Sequence, residues 1–245
     1  MQVIANFFGS ILRFIYENLQ ASFAEPASIS FFAISILLLT FVYKLVTIPV
    51  TINNQKNQIK NAAMQQEMQQ IQKKYSRDPQ TMQRKMQELY KKHNFNPASG
   101  CLPILVQMIL IFALFRVMRD PSLYMFDNAT QMDAIAKNFL WVPDLTKADP
   151  YWFGLPLING LTQFLVSKVS MPKPEDDGKP KTQQELQMQS MNNMMMYGMP
   201  IMMFVLFIRY ASGLILYWSF SNIIEVIIRF IMNKSMKKQK VGGNK

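Results

Sequence analysis

The stretch FFAISILLLTFVYKLVTIPV, Phe31 to Val50, decides how the chain is read. Apolar almost throughout, it rises about 30 Å as an α-helix, the thickness of the hydrocarbon core of a bilayer. Its single charge is Lys44, roughly 20 Å along from Phe31 at helical rise. Thr40 and Thr47 stand at i−4 and i+3 from that lysine, so the three share one helix face. A cation with a polar stripe inside a lipid-spanning helix is costly and commonly functional. The competing reading is a lysine that snorkels toward a headgroup layer about 10 Å away. Spacing alone leaves both standing.

Outward from this segment, the 245 residues alternate similar apolar blocks with stretches rich in Lys, Arg, Gln and Asn, and 50% of the chain is hydrophobic. Such blocks predict an all-α membrane protein with polar excursions rather than a soluble globule. The net charge of +11 suits anionic phospholipids at a cytoplasmic membrane surface. No zinc-finger spacing or RNP-type aromatic motif accompanies it, so no specific nucleic-acid sequence is expected as a partner. Cys101 is the one cysteine and His93 the one histidine, which leaves neither an internal disulfide nor a metal site. There is also no P-loop, GxGxxG or GxSxG elbow, and the expectation is a protein without cofactors that is not an enzyme.

Residues 1–28 place Val3, Ile4, Phe7, Phe8, Ile11, Leu12 and Ile15 at helical spacing, with Asn6, Arg13, Glu17 and Asn18 mainly on the other side. That pattern predicts an amphipathic helix lying in the membrane interface, followed by a linker. A signal peptide competes, because Ser22-Phe23-Ala24 resembles a cleavage site. Arg13 within the apolar run and the lack of an earlier basic residue favour a retained helix.

After Pro49 the character changes. Residues 51–99 carry two apolar stripes, Ile59 to Ile71 and Met82 to Tyr90, broken at Ser76-Arg77-Asp78-Pro79. Two antiparallel helices, a hairpin, are predicted there. Its basic excess, including Lys73, Lys74, Arg77, Arg84 and Lys85, assigns it to the cytoplasm. A second span is expected over Cys101 to Met118, containing Gln107, then an acidic outside loop over 119–150. Tyr151 to Lys168 forms a third span, with Asn159 and Gln163, and Pro172 to Gln189 reads as a polar loop. Met194 to Met232 is too long for one crossing and must turn at Arg209 to Gly213, giving a fourth and a fifth span. Residues 29–235 are thus a five-span core, and 236–245 a basic cytoplasmic tail. The N-terminus lies outside and the C-terminus inside.

The polar residues within these spans are Thr40, Lys44, Thr47, Gln107, Asn159, Gln163, Ser219, Ser221, Asn222 and Glu225. Any single uncharged one can simply glue helices together. Together with a lysine and a glutamate at similar depth, they suggest a water-accessible cavity. Glu225 has two candidate partners, Lys44 and, at i+4 on its own helix, Arg229. Methionine is abundant, 20 in all, with a cluster between Met188 and Met203. It reads either as an adaptable apolar surface or as lipid-facing filler.

Two stretches carry a resemblance. NPASGCLPILVQMILIFALF, Asn96 to Phe115, and SGLILYWSFSN, Ser212 to Asn222, resemble conserved spans of the YidC/Oxa/Alb family of membrane protein insertases. The likeness extends over roughly residues 29–235. It implies a multi-pass protein of the bacterial plasma membrane, of the short Gram-positive type and active as a monomer. It implies an insertase and chaperone whose positively charged groove opens to cytosol and lipid. Lys44 stands where the family has an arginine, which keeps the charge but loses the planar donor fork. Thr40, Thr47, Gln107, Ser219, Asn222 and Glu225 would line the groove, Glu225 replacing a usually uncharged residue. Lys73, Lys74, Arg77, Arg84 and Lys85 would meet clients or the ribosome. The implied partners are nascent membrane proteins, the ribosome, a Sec-type translocon and anionic phospholipids. A transporter using Lys44 and Glu225 as an ion relay, or an assembly scaffold for membrane subunits, are the rival readings. The lack of inverted repeats weighs against the transporter.

Overall fold

The structure, a computed structural model, describes residues 2–93, 102–126, 134–170 and 183–242. Among them there are helices and no strand longer than an isolated bridge. Two compact units emerge: Met1–Val46 with Ile109–Lys245, and Thr47–Met108.

The larger unit begins with α1, Gln2–Ser22, which buries Ala5, Gly9, Leu12 and Tyr16 along one stripe. Gly9 lies against Tyr124 of the short helix α5, Pro121–Tyr124, so closely that a Cβ there would overlap the Tyr124 carbonyl. Tyr16 meets Phe126 edge-on at 5.9 Å. Val3, Phe7 and Phe14 stay exposed on other faces of α1.

Helix α2 runs Phe31–Lys74 without interruption. Ser30 caps it: its Oγ accepts from Ala33 N at 3.2 Å, while Glu25 Oε1 accepts from Phe31 N at 2.6 Å. These side chains satisfy amides that have no partner within the first turn. Pro49 lies inside the helix, where it removes one backbone donor. The change of character at Pro49 is therefore one of composition, not of backbone.

Helix α4, Leu102–Arg119, is followed by α5 and, after residues outside the description, by a compact segment at 134–154. Helix α6, Leu155–Ser170, starts later than Tyr151, because Asp149 organises the preceding turn. The loop expected over Pro172 to Gln189 is partly helical: α7 covers Gln183–Asn193, continues through a π-turn at Met194–Gly198, and passes into α8, Met199–Phe207. The break between Phe207 and Ser212 falls where the length argument required a turn. Helix α9 then runs Ser212–Gly242, so the basic tail continues the helix instead of leaving it.

The segment around 137–147 ties two helix starts together. Ser30 N and Oγ both donate to Asn138 O, at 2.9 and 2.8 Å. Ser212 N and Oγ both donate to Lys147 O, at 2.7 and 2.8 Å, and Gly213 N donates to Leu145 O at 2.8 Å. A Cβ on Gly213 would stand 2.7 Å from Met118 Sδ and 3.2 Å from Leu145 O, so a larger residue would require Met118 and the Leu145 carbonyl to shift. Below these ties, Phe32 and Ile36 of α2, Val117 and Met118 of α4, and Ile215 and Tyr217 of α9 form the apolar core. Helices α2 and α9 thus leave the same segment side by side. By length and apolarity, Phe31–Asn57 and Ser212–Lys234 can cross a membrane. Phe41, Val42, Leu45 and Val46 of the first are exposed, as a lipid-facing surface would be.

The smaller unit holds the remainder of α2 and helix α3, Pro79–Lys92, joined by a turn. Asp78 Oδ1 accepts from Thr81 N at 3.1 Å as the N-cap, and Pro79 occupies the first helical position, where its missing N–H costs nothing. Lys92 Nζ reaches Glu67 Oε2 at 3.2 Å across the turn.

Candidate intramembrane site

Lys44 lies on α2 and Glu225 on α9, each the same number of residues beyond the helix starts at Phe31 and Ser212. Helices leaving one tie-point in parallel carry such residues to the same depth, roughly 20 Å. The structure brings them together: Lys44 Nζ to Glu225 Oε2 is 3.0 Å. The second carboxylate oxygen, Oε1, accepts from Arg229 Nε at 2.8 Å. Lys44 and Arg229, left as alternatives by the sequence, are partners of Glu225 at once. Their side chains keep only 10%, 12% and 11% of their exposure for Lys44, Glu225 and Arg229. Two cations and one carboxylate leave the triad with one net positive charge. Charge-assisted hydrogen bonds on both oxygens offset part of the desolvation that burial imposes.

Helix periodicity explains the arrangement. Trp218, Asn222, Glu225 and Arg229 recur at three- and four-residue intervals, which aligns them on one face of α9. Asn159, Thr162 and Gln163 do the same on α6. Between the two faces, Asn222 Nδ2 donates to Gln163 Oε1 at 3.2 Å and to Thr162 Oγ1 at 3.4 Å. Trp218 Nε1 donates to the same Gln163 Oε1 at 3.2 Å, and Asn159 Nδ2 donates to Ser219 Oγ at 3.3 Å. Asn159 is fully buried, and among the described residues its Oδ1 has no hydrogen-bond partner.

The remaining expected site residues are placed differently. Thr40 is buried one turn before Lys44, and its Oγ1 donates to the Ile36 carbonyl at 2.6 Å. Its hydroxyl thus serves its own helix. Thr47 belongs to the smaller unit, and the Gln107 side chain lies outside the described residues. Lys73, Lys74, Arg77 and Arg84 are exposed. Lys85 donates to Glu88 Oε2 at 2.6 Å, and Arg84 stands 3.7 Å from the other oxygen. Hydrogen bonds hold three exposed carboxyls below their ordinary values: Glu67 through Lys92, Asp78 through Thr81, and Glu88 through Lys85. Sequence reasoning passed over Thr162 and Trp218. The i, i+4 recurrence from Trp218 through Asn222 was the available signal for one of them.

The chain is similar to known proteins along nearly all of its length. The pattern of the 60Kd inner membrane protein family matches residues 24–240. A membrane protein insertase YidC of Fusobacterium nucleatum is 37% identical over 204 residues, covering 83% of this chain and 87% of that protein. The protein of the same name from Clostridium perfringens is 34% identical over 196 residues, 80% of this chain and 76% of the relative. The one from Aquifex aeolicus is 33% identical over 213 residues, 86% of this chain but 37% of the relative. The chain thus spans about a third of the length of some relatives, that of Treponema denticola included at 34%.

Proposed function

We propose, since this chain belongs to the 60Kd inner membrane protein family, that it inserts nascent membrane proteins into the bilayer and assists their folding. The observation that carries the reading is the buried triad of Lys44, Glu225 and Arg229, with its net positive charge, beside a polar seam between α6 and α9. A client's tail bound for the far side must bring polar and acidic groups into a low-dielectric region. Polar side chains lower that desolvation cost, and a cation attracts the acidic groups. Burial of the client's apolar segment then drives it sideways into lipid, with no nucleotide consumed.

In this reading the five spans are the apolar part of α2, α4, α6, the run ending in α8, and the apolar part of α9. The helix pair closed by Asp78 is a cytoplasmic hairpin, whose Lys73, Lys74, Arg77, Arg84 and Lys85 gather clients, ribosome and anionic headgroups. The N-terminus faces outward, with α1 in the outer interface, and the C-terminus faces the cytoplasm. Thr40, Ser219 and Asn222 are the polar lining of the groove within the larger unit.

Purified protein in vesicles of bacterial phospholipids provides the test. A single-span client with a short acidic tail should gain protease protection well above that seen in empty vesicles. Protection no greater than in empty vesicles would rule out insertion. A membrane current in those same vesicles without protection of the client would instead indicate an ion relay through Lys44 and Glu225.

A further inference from the structure

Building on the insertase reading, we infer that Glu225 is a resident competitor for the client's acidic groups: its carboxylate occupies the position on Lys44 that a client carboxylate takes. Arg229 holds Glu225 while the exchange lasts.

The geometry supplies each step. The two oxygens of Glu225 are divided between the two cations, Oε2 at 3.0 Å from Lys44 Nζ and Oε1 at 2.8 Å from Arg229 Nε. Lys44 is on α2, whereas Glu225 and Arg229 are one turn apart on α9. The bond within α9 survives any small separation of the two helices, and the bond between helices is the one that opens. When a client carboxylate takes Glu225's place on Lys44, every charge keeps a partner: client with Lys44, Glu225 with Arg229. No cation or anion is stranded in low dielectric, the event that makes breaking a buried pair expensive. The residual exposure of the three side chains gives the client an edge to approach. Specificity follows from the competition. A tail carrying a carboxylate can displace Glu225, and a neutral tail gains nothing by doing so.

The experiment uses the full chain in phospholipid vesicles and two clients, one with a tail glutamate and one with glutamine there. The quantity read is the ratio of acidic to neutral client inserted. Glu225→Gln should raise this ratio roughly three- to tenfold. Arg229→Gln should lower it, because Glu225 then has Lys44 alone. The double change Glu225→Gln with Arg229→Gln keeps the triad's net charge, which separates exchange from a general field. Exchange requires a ratio above wild type; a wild-type ratio overturns it. A ratio unmoved by Glu225→Gln overturns it as well and makes Glu225 a fixed counterion. Should Glu225→Gln fail to accumulate, Glu225→Asp, with its shorter reach toward Lys44, must also raise the ratio, and no rise sinks the inference. Failure of the wild type to insert either client would instead defeat the insertase reading.

Discussion

Carboxylates in the two units meet the same cations under opposite conditions. In the larger unit Glu225 is largely buried between Lys44 and Arg229. In the smaller unit Glu67 and Glu88 bind Lys92, Lys85 and Arg84 with most of these side chains in the open. Bond lengths barely distinguish the two: 3.0 Å for Lys44 to Glu225, 3.2 Å for Lys92 to Glu67. The difference lies in what happens when a partner is lost. Water can replace a partner of an exposed carboxylate, and surface pairs contribute little. A buried one has no such recourse. A basic surface can therefore be made of replaceable charges, whereas the triad is one unit.

The largest effect should come from Lys44. Lys44→Ala should destabilise the protein by about 3–5 kcal/mol, as removal of one member of a buried pair does, measured by thermal unfolding in mild detergent. Lys44→Glu should be worse, because two carboxylates then face each other in low dielectric. Lys44→Arg should keep stability and insertion, since the charge remains and the donor fork widens. The double change Lys44→Ala with Glu225→Ala should recover only part of the lost insertion, because alanine at both positions leaves the groove without the cation that meets the client. Full recovery would reduce Lys44 to a neutraliser of Glu225.

An intermediate effect is expected at Asp149, which is buried against neutral donors. It accepts from Trp141 Nε1 at 3.1 Å, Tyr151 N at 2.9 Å and Leu155 N at 2.7 Å. Asp149→Ala should cost about 1–2 kcal/mol, for a lost cap and stranded donors, and should shift the fluorescence of Trp141. An unchanged melting curve would mean that water replaces the aspartate, as it does at the surface.

At the small end, Glu67→Gln should leave thermal unfolding within measurement error. The pH dependence of the helix pair is sharper than the mutation. Glu67, Asp78 and Glu88 are all held below their ordinary values, so the unfolded chain takes up protons first as pH falls. Their contribution is fully present above the ordinary carboxylate range and is lost as pH drops through the lowered values. Hydrogen exchange of α3 amides should therefore show constant protection from neutral pH down to that range and falling protection below it, after correction for intrinsic rates. Protection that increases on acidification would contradict the sign.

These contrasts also mark what the sequence could reveal. Phe31 to Val50 announced its own helix, because apolarity over that length has few other uses. The break before Pro79 was legible from proline's effect on its neighbour, and the turn before Gly213 from bilayer thickness. Helix continuity through Pro49 was not, since one missing donor does not end a helix supported on either side. Nor was the helix beginning at Gln183, whose polar sequence shows no strong periodicity. For the site, Lys44 and Glu225 stood out as charges in apolar runs. Their common depth depends on the ties of Ser30 to Asn138 and Ser212 to Lys147, contacts between residues far apart in the chain. The Lys44 side of Glu225's double occupation depends on the same ties, whereas the Arg229 side is local to α9. The uncharged partners Thr162 and Trp218 gave no signal by composition, because threonine and tryptophan are ordinary residues in a span.

The most direct test of the central claim is contact between client and triad. A photo-reactive side chain in place of half-buried Tyr43, which leaves the neighbouring Lys44 intact, and for comparison at exposed Phe14 on α1, would be presented with a stalled nascent chain carrying a single apolar segment and a short tail. The account predicts cross-links from position 43 to the client's tail, strongest just before insertion and lost once the client is released, with background levels from position 14. A client that inserts with no cross-link at position 43 above that background would contradict it.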